Sequence, residues 1–96
     1  MNEIIRKNLW CQLGNVKQKD WLKAGVKLGL FVSSKLGKGS HAVIRDPNNP
    51  NINDINGLIS TVQKKLYKEA NQTIFKHLMA FGIKEDDIWK ALKKLS

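Results

Sequence analysis

His41 stands in the run Lys38-Gly39-Ser40-His41-Ala42, with Lys35 and Arg45 close on either side. An imidazole exchanges a proton near neutral pH, and cations beside it can hold a phosphate and stabilise charge that develops there. No other stretch of the chain sets a titratable base among so many anion binders. The chemistry this composition suits is proton transfer at a phosphate ester. The plainer alternative is a strand histidine that pairs with a neighbouring backbone group. The other histidine, His77, lies at the border of an apolar helical stripe and reads as a packed or surface residue rather than a catalytic one.

Two short strands around a Gly/Lys-rich turn must position this group. Leu30 to Lys35 is apolar and β-branched, Gly37 and Gly39 punctuate, and Ala42-Val43-Ile44-Arg45 resumes an extended pattern. Pro47 and Asn48-Asn49-Pro50-Asn51 end the second strand, because proline has no ladder donor and disfavours helix in the residue before it. An exposed connection to Asn56 should follow. Gly57 then leads into a third strand, Leu58 to Val62, rich in β-branched residues. Lys64, Lys65 and Lys68 extend from its end, either on the same face as the hairpin cations or simply solvated.

Helices flank this meander. Asn2 can cap a first one, with Ile5, Leu9 and Leu13 as its stripe and Gly14-Asn15 as its stop. It reads as an accessory element or lid, and its Trp10 and Cys11 as packing residues. A second helix is predicted over about 17–27, with Trp21, Ala24, Gly25 and Leu28 facing inward and Gly29 ending it. Gly25 costs such a helix roughly 0.5–1 kcal/mol against alanine, so tertiary packing must hold it. Asn71 is a natural cap for a helix over 72–81, whose buried face is Ile74, Phe75, Leu78, Met79 and Phe81. The last helix starts near Lys84, with Glu85, Asp86 and Asp87 in its first turn and Lys90, Lys93 and Lys94 in its last, as the helix dipole favours. Its Trp89 suits either the core or a protein interface. The order helix, helix, three strands, helix, helix predicts an α+β fold of two layers, a three-stranded antiparallel sheet packed on helices.

The bulk numbers bound the partners. At 96 residues the chain is one domain with one modest core, and 42% hydrophobic with 26% charged residues is a folded composition. Seventeen cations against eight acids make a formal charge of +9, which favours a polyanionic partner, nucleic acid above all. The alternative is a merely soluble basic surface. Residues 1–40 hold eight of the cations and two of the acids, so the basic half leads into the candidate site. A single cysteine forms no internal disulfide and fits a reducing, cytoplasmic setting. No Cys/His cluster has metal-ligand spacing, and neither a metal nor another cofactor is expected. No apolar run approaches the roughly 20 residues of a membrane span, and residues 1–10 lack the apolar core of a secretion signal.

Lys38-Gly39-Ser40-His41 resembles the signature of the HicA family of toxin–antitoxin systems, small mRNA interferases with a fold like the double-stranded-RNA-binding domain. Gly29-Leu30 stands where that family has Gly-Phe, and Val43-Ile44-Arg45-Asp46-Pro47 follows the motif as expected. Thr73-Ile74-Phe75-Lys76-His77-Leu78 and Phe81-Gly82-Ile83 are similar to the family's later helix and its end, and acids follow at Glu85 to Asp87. The similarity covers about 17–95. Ala42 replaces a second histidine common in the family, Gln72-Thr73 replaces Gly-Thr, and residues 1–16 are additional.

The resemblance implies an α-β-β-β-α core over 17–83, an extra N-terminal helix over 1–16 and a C-terminal helix over 84–96. It implies a metal-independent endoribonuclease with His41 as catalytic residue, assisted by Ser40, Lys38, Arg45 or a water. Lys35, Lys38, Gly39, Arg45, Lys64 and Lys65 are the expected RNA contacts. An mRNA substrate and a HicB-like antitoxin protein are the expected partners, with Phe75, Trp89 and the first helix available to that interface or to self-association. The alternative is an RNA-binding module of the same fold without catalysis.

Overall fold

Residues 3–33, 42–49 and 54–93 are described by the structure, a computed structural model. Helix α1 (Glu3–Cys11) runs into a 3₁₀ turn at Gln12–Asn15, and helix α2 (Gln18–Lys27) follows. Three strands come next, β1 (Phe31–Ser33), β2 (Ala42–Arg45) and β3 (Leu58–Val62), and then helices α3 (Lys68–Phe81) and α4 (Glu85–Ala91). The strands form one antiparallel sheet in the order β1-β2-β3. Among the described residues the architecture is α+β, an open three-stranded sheet with four helices, as the sequence order implies.

Strand alternation decides which sheet face is covered. Ala42 and Ile44 of β2 and Ser60 and Val62 of β3 are buried, whereas Val43 is half-buried and its partner Thr61 is exposed. Helix α2 closes on the buried face over β1 and β2, and α3 closes on it at β3. The approach of α2 is close enough to need glycine. A Cβ on Gly25 would stand 2.5 Å from Val32 Cγ1, with two carbons of Ile44 behind it. Gly25 therefore trades helix propensity for helix–sheet contact.

Both ends of α2 follow local rules. The Asp20 carboxylate accepts a bond from the backbone N–H of Lys17 at 2.9 Å, and Gly29 leaves the helix at φ 79°, where a side chain would be strained. Leu30 N–H then returns to the Gly25 carbonyl at 2.9 Å. Helix α3 departs from its expected start. It begins at Lys68, with Tyr67 as the flanking residue, and Asn71 lies inside it, fully buried. A side chain used as a cap cannot also reach across the domain, and Asn71 does the latter. It accepts from Trp21 Nε1 at 2.8 Å and donates to the carbonyls of Leu13 and Val16.

The N-terminal segment, expected as an accessory element, belongs to the core. Leu9, Leu13 and Val16 join Trp21, Ile44, Val62, Ile74, Leu78 and Ile88 in one buried cluster. Trp10 meets the edge of Phe75 at 5.3 Å, and Phe75 lies against Trp89 at 4.5 Å between ring centroids. Phe75 is 1% exposed and Trp89 0%. Both are core residues, and neither offers a face to an antitoxin or a second copy. Helix α4 ends at Ala91, so Lys90 is in its last turn and Lys93 lies beyond it at φ 61°. No helix among the described residues is long and apolar enough to cross a membrane.

Candidate functional site

The residues that carry the sequence argument for chemistry, Lys35, Lys38, Gly39, Ser40 and His41, lie outside the described residues. The frame that adjoins them is described. Ala42, the next residue after His41, opens β2, is fully buried and pairs with Val62. The chain therefore enters β2 and leaves β3 at the same end of the sheet. Gln18, in the first turn of α2, donates to the Val62 carbonyl at 3.0 Å and ties that helix to the same end. Lys64 and Lys65 stand two and three residues after Val62 and are exposed. They are thus cations at the end of the sheet where the chain comes in from His41.

Arg45 is at the other end. Its Cα partners are Phe31 and Leu58, about 10 Å along β2 from Ala42 at the usual strand rise. Arg45 is 4% exposed, and its Nη2 donates to the backbone carbonyl of Asp54. Gly57 closes over the guanidinium, since a Cβ there would meet Arg45 Nη2 at 2.6 Å. A guanidinium enclosed in this way braces the connection between β2 and β3. The phosphate contact expected of it is a surface role that 4% exposure does not suit.

The same connection is organised by two carboxylates. Asp46 Oδ1 accepts from Asn48 N–H at 2.9 Å. Asp54 accepts from the Asn49 amide at 2.8 Å and from Asn56 N–H at 2.9 Å. The bond from Asn49, then the bond from Asn56, hold the Asp54 carboxyl below its ordinary value. Hydrogen bonds to the charged form lower a carboxyl pKa in this way.

Between β3 and α3 lies an open groove of about 380 Å³. Ile59, Leu66 and Ile74 are among its apolar residues, and Ser60, Gln63 and His77 are among its polar ones. Ser60 Oγ and His77 Nδ1 share a hydrogen bond of 3.0 Å, although Ser60 is 3% exposed and His77 is a surface residue. The sequence placed His77 at a stripe border but could not place Ser60 beside it. A second groove, about 510 Å³, lies where α1, α3 and α4 meet, with Trp10, Phe75 and Met79 in its lining.

Tyr67 escaped the sequence reading. It is 75% exposed and sits between Lys65 and Lys68, both exposed. The legible signal was an aromatic residue inside the run Lys64-Lys65-Leu66-Tyr67-Lys68. Among the described residues there is no group of three His, Cys, Asp or Glu side chains arranged to hold a metal ion. No family model, curated protein or solved structure matches the chain.

Proposed function

We propose that this chain is a toxin of the HicA type, an endoribonuclease that cleaves mRNA with His41 as its catalytic residue. The observation that carries the reading is Lys38-Gly39-Ser40-His41 leading into Ala42, the first residue of the central strand. The antiparallel α+β frame, the charge of +9 and exposed Lys64 and Lys65 at that strand's entry support it.

The reaction uses the substrate's own 2′-hydroxyl as nucleophile. A base removes the hydroxyl proton, the 2′-oxygen bonds to phosphorus, and the bond from phosphorus to the 5′-oxygen breaks. An acid protonates the departing oxygen, and cations stabilise the charge of the pentavalent state. His41 fills one of the two proton-transfer roles, and Ser40, Lys38 or a water fills the other. Lys35, Lys38, Lys64 and Lys65 hold phosphates, with Gly39 allowing close backbone approach. Binding then weakens steeply with salt, because each neutralised phosphate releases counterions. A 2′-deoxy substrate is bound but not cut. In this reading the protein works in the cytoplasm, and a HicB-like antitoxin covers the site.

The test compares wild type and His41→Ala for RNA cleavage in EDTA, with affinity for the same RNA measured in parallel. Cleavage by wild type alone, at equal affinity, is the expected result. Equal, salt-dependent binding without cleavage by either protein would overturn the nuclease and leave an RNA-binding module.

A further inference from the structure

Tyr67 has no packing reason to be aromatic. Its side chain is in water, 75% exposed, and Lys64, Lys65 and Lys68 surround it in sequence, all exposed. Leu66 before it and Ala70 after it line the groove between β3 and α3. An exposed ring among cations, next in sequence to a lining residue of this groove, has the parts of a single-strand nucleic-acid platform: a stacking face and a positive track for the backbone.

The groove supplies what a stacking face lacks. Ser60 is buried and holds His77 by Nδ1 at 3.0 Å, which fixes the imidazole against the wall. No described residue bonds the opposite nitrogen, Nε2. Gln63, also on the lining and exposed, carries an amide that both donates and accepts. A lining that joins donor and acceptor capacity with the apolar Ile59 and Ile74 suits a flat heterocycle. An acidic peptide would engage the lysines and leave both the wall and the ring unused.

We infer that the β3–α3 groove is a subsite for one unpaired nucleotide of RNA. The base enters the groove against His77 and Gln63, Tyr67 stacks on its neighbour, and Lys64, Lys65 and Lys68 neutralise the flanking phosphates. The inference rests on the RNA reading above and adds two things to it. The strand held here is single, because a duplex keeps its bases stacked and paired. Base discrimination also resides in this groove.

The experiment uses the full chain carrying His41→Ala, so that bound RNA stays intact. Fluorescence anisotropy follows a short labelled single-stranded RNA and the same RNA annealed to its complement. Tyr67→Ala should weaken the single strand about fivefold or more and leave the duplex unchanged, while Tyr67→Phe retains affinity. Gln63→Ala should alter the ratio of affinities among homopolymeric RNAs. Circular dichroism confirms that each variant is folded. If Tyr67→Ala binds the single strand like its parent while Lys64→Gln and Lys65→Gln weaken it, the contact is electrostatic alone and the subsite is refuted, with the RNA reading intact. If the parent binds neither RNA, the reading beneath the subsite has failed as well.

Discussion

Trp21 and Asn71, separated by 50 positions, share a hydrogen bond of 2.8 Å in the centre of the domain, where neither side chain is exposed. The same amide donates to the carbonyls of Leu13 and Val16, so one residue joins α2, α3 and the turn after α1. A buried polar group is tolerable there because each partner is satisfied.

Asn71→Leu removes the acceptor for the indole and the amide donor to both carbonyls, of which Leu13 keeps the local bond from Val16 N–H at 3.1 Å. The indole N–H and the Val16 carbonyl lose their partner, and unpaired buried groups each cost about 1–3 kcal/mol, so the variant should lose about 2 kcal/mol or more by urea denaturation. Trp21→Phe should lose less on its own. Combined with Asn71→Leu it should add little, because the bond is already gone. Full additivity in the double mutant would show that the two side chains are energetically independent.

Gly25→Ala should destabilise, opposite to its effect in an exposed helix. The new methyl meets Val32 Cγ1 at 2.5 Å with Ile44 behind it, and overpacking of this kind costs about 1–3 kcal/mol. Val32→Ala in the same chain should recover much of the loss. Thermal midpoints of the two single variants and the double variant decide it.

Arg45 and the exposed lysines should separate in a salt titration of RNA binding. Lys64→Gln and Lys65→Gln should each lower the slope of log K against log salt by about 1. Arg45→Gln should lower the thermal midpoint and leave that slope unchanged, since its guanidinium is turned to the Asp54 carbonyl. A reduced slope for Arg45→Gln would return it to the RNA surface.

Asp54 sets an acid limb for the β2–β3 connection. Its folded pKa lies below the ordinary 3.8, chiefly through Asn49. A depressed carboxyl contributes stability above its unfolded pKa and loses it as pH falls through the folded value. The contribution is therefore complete at neutral pH and fades below about pH 3.8. Carboxyl carbon shifts should titrate at higher pH in Asn49→Ala. An unchanged Asp54 titration would remove Asn49 as the cause.

The strands and the last helix were readable because local chemistry marks them. Gly57 before β3 and Pro47 after β2 are breakers, and the acids after Lys84 mark the start of α4. The start of α3 was not readable. Asn71 has the chemistry of a cap, and only folding brings Trp21 and Leu13 to it. Arg45 failed in the same way, since a strand arginine reads as surface until Gly57 closes over it. Tyr67 was readable in principle from the lysines around it. The partnership of Ser60 with His77 was not, because no short spacing encodes a contact between a strand and the helix after it.

The Asn71 clasp has a consequence for synthesis. The Leu13 carbonyl is made before the Asn71 amide that clasps it, which lies 58 residues downstream. Until that residue emerges from the ribosome, the Leu13 carbonyl has only the local bond from Val16 N–H at 3.1 Å, and the clasp across the domain is missing. A segment made before α3 is therefore secured only after it, and a nascent chain arrested before α3 should leave α1 open to proteases or chaperones.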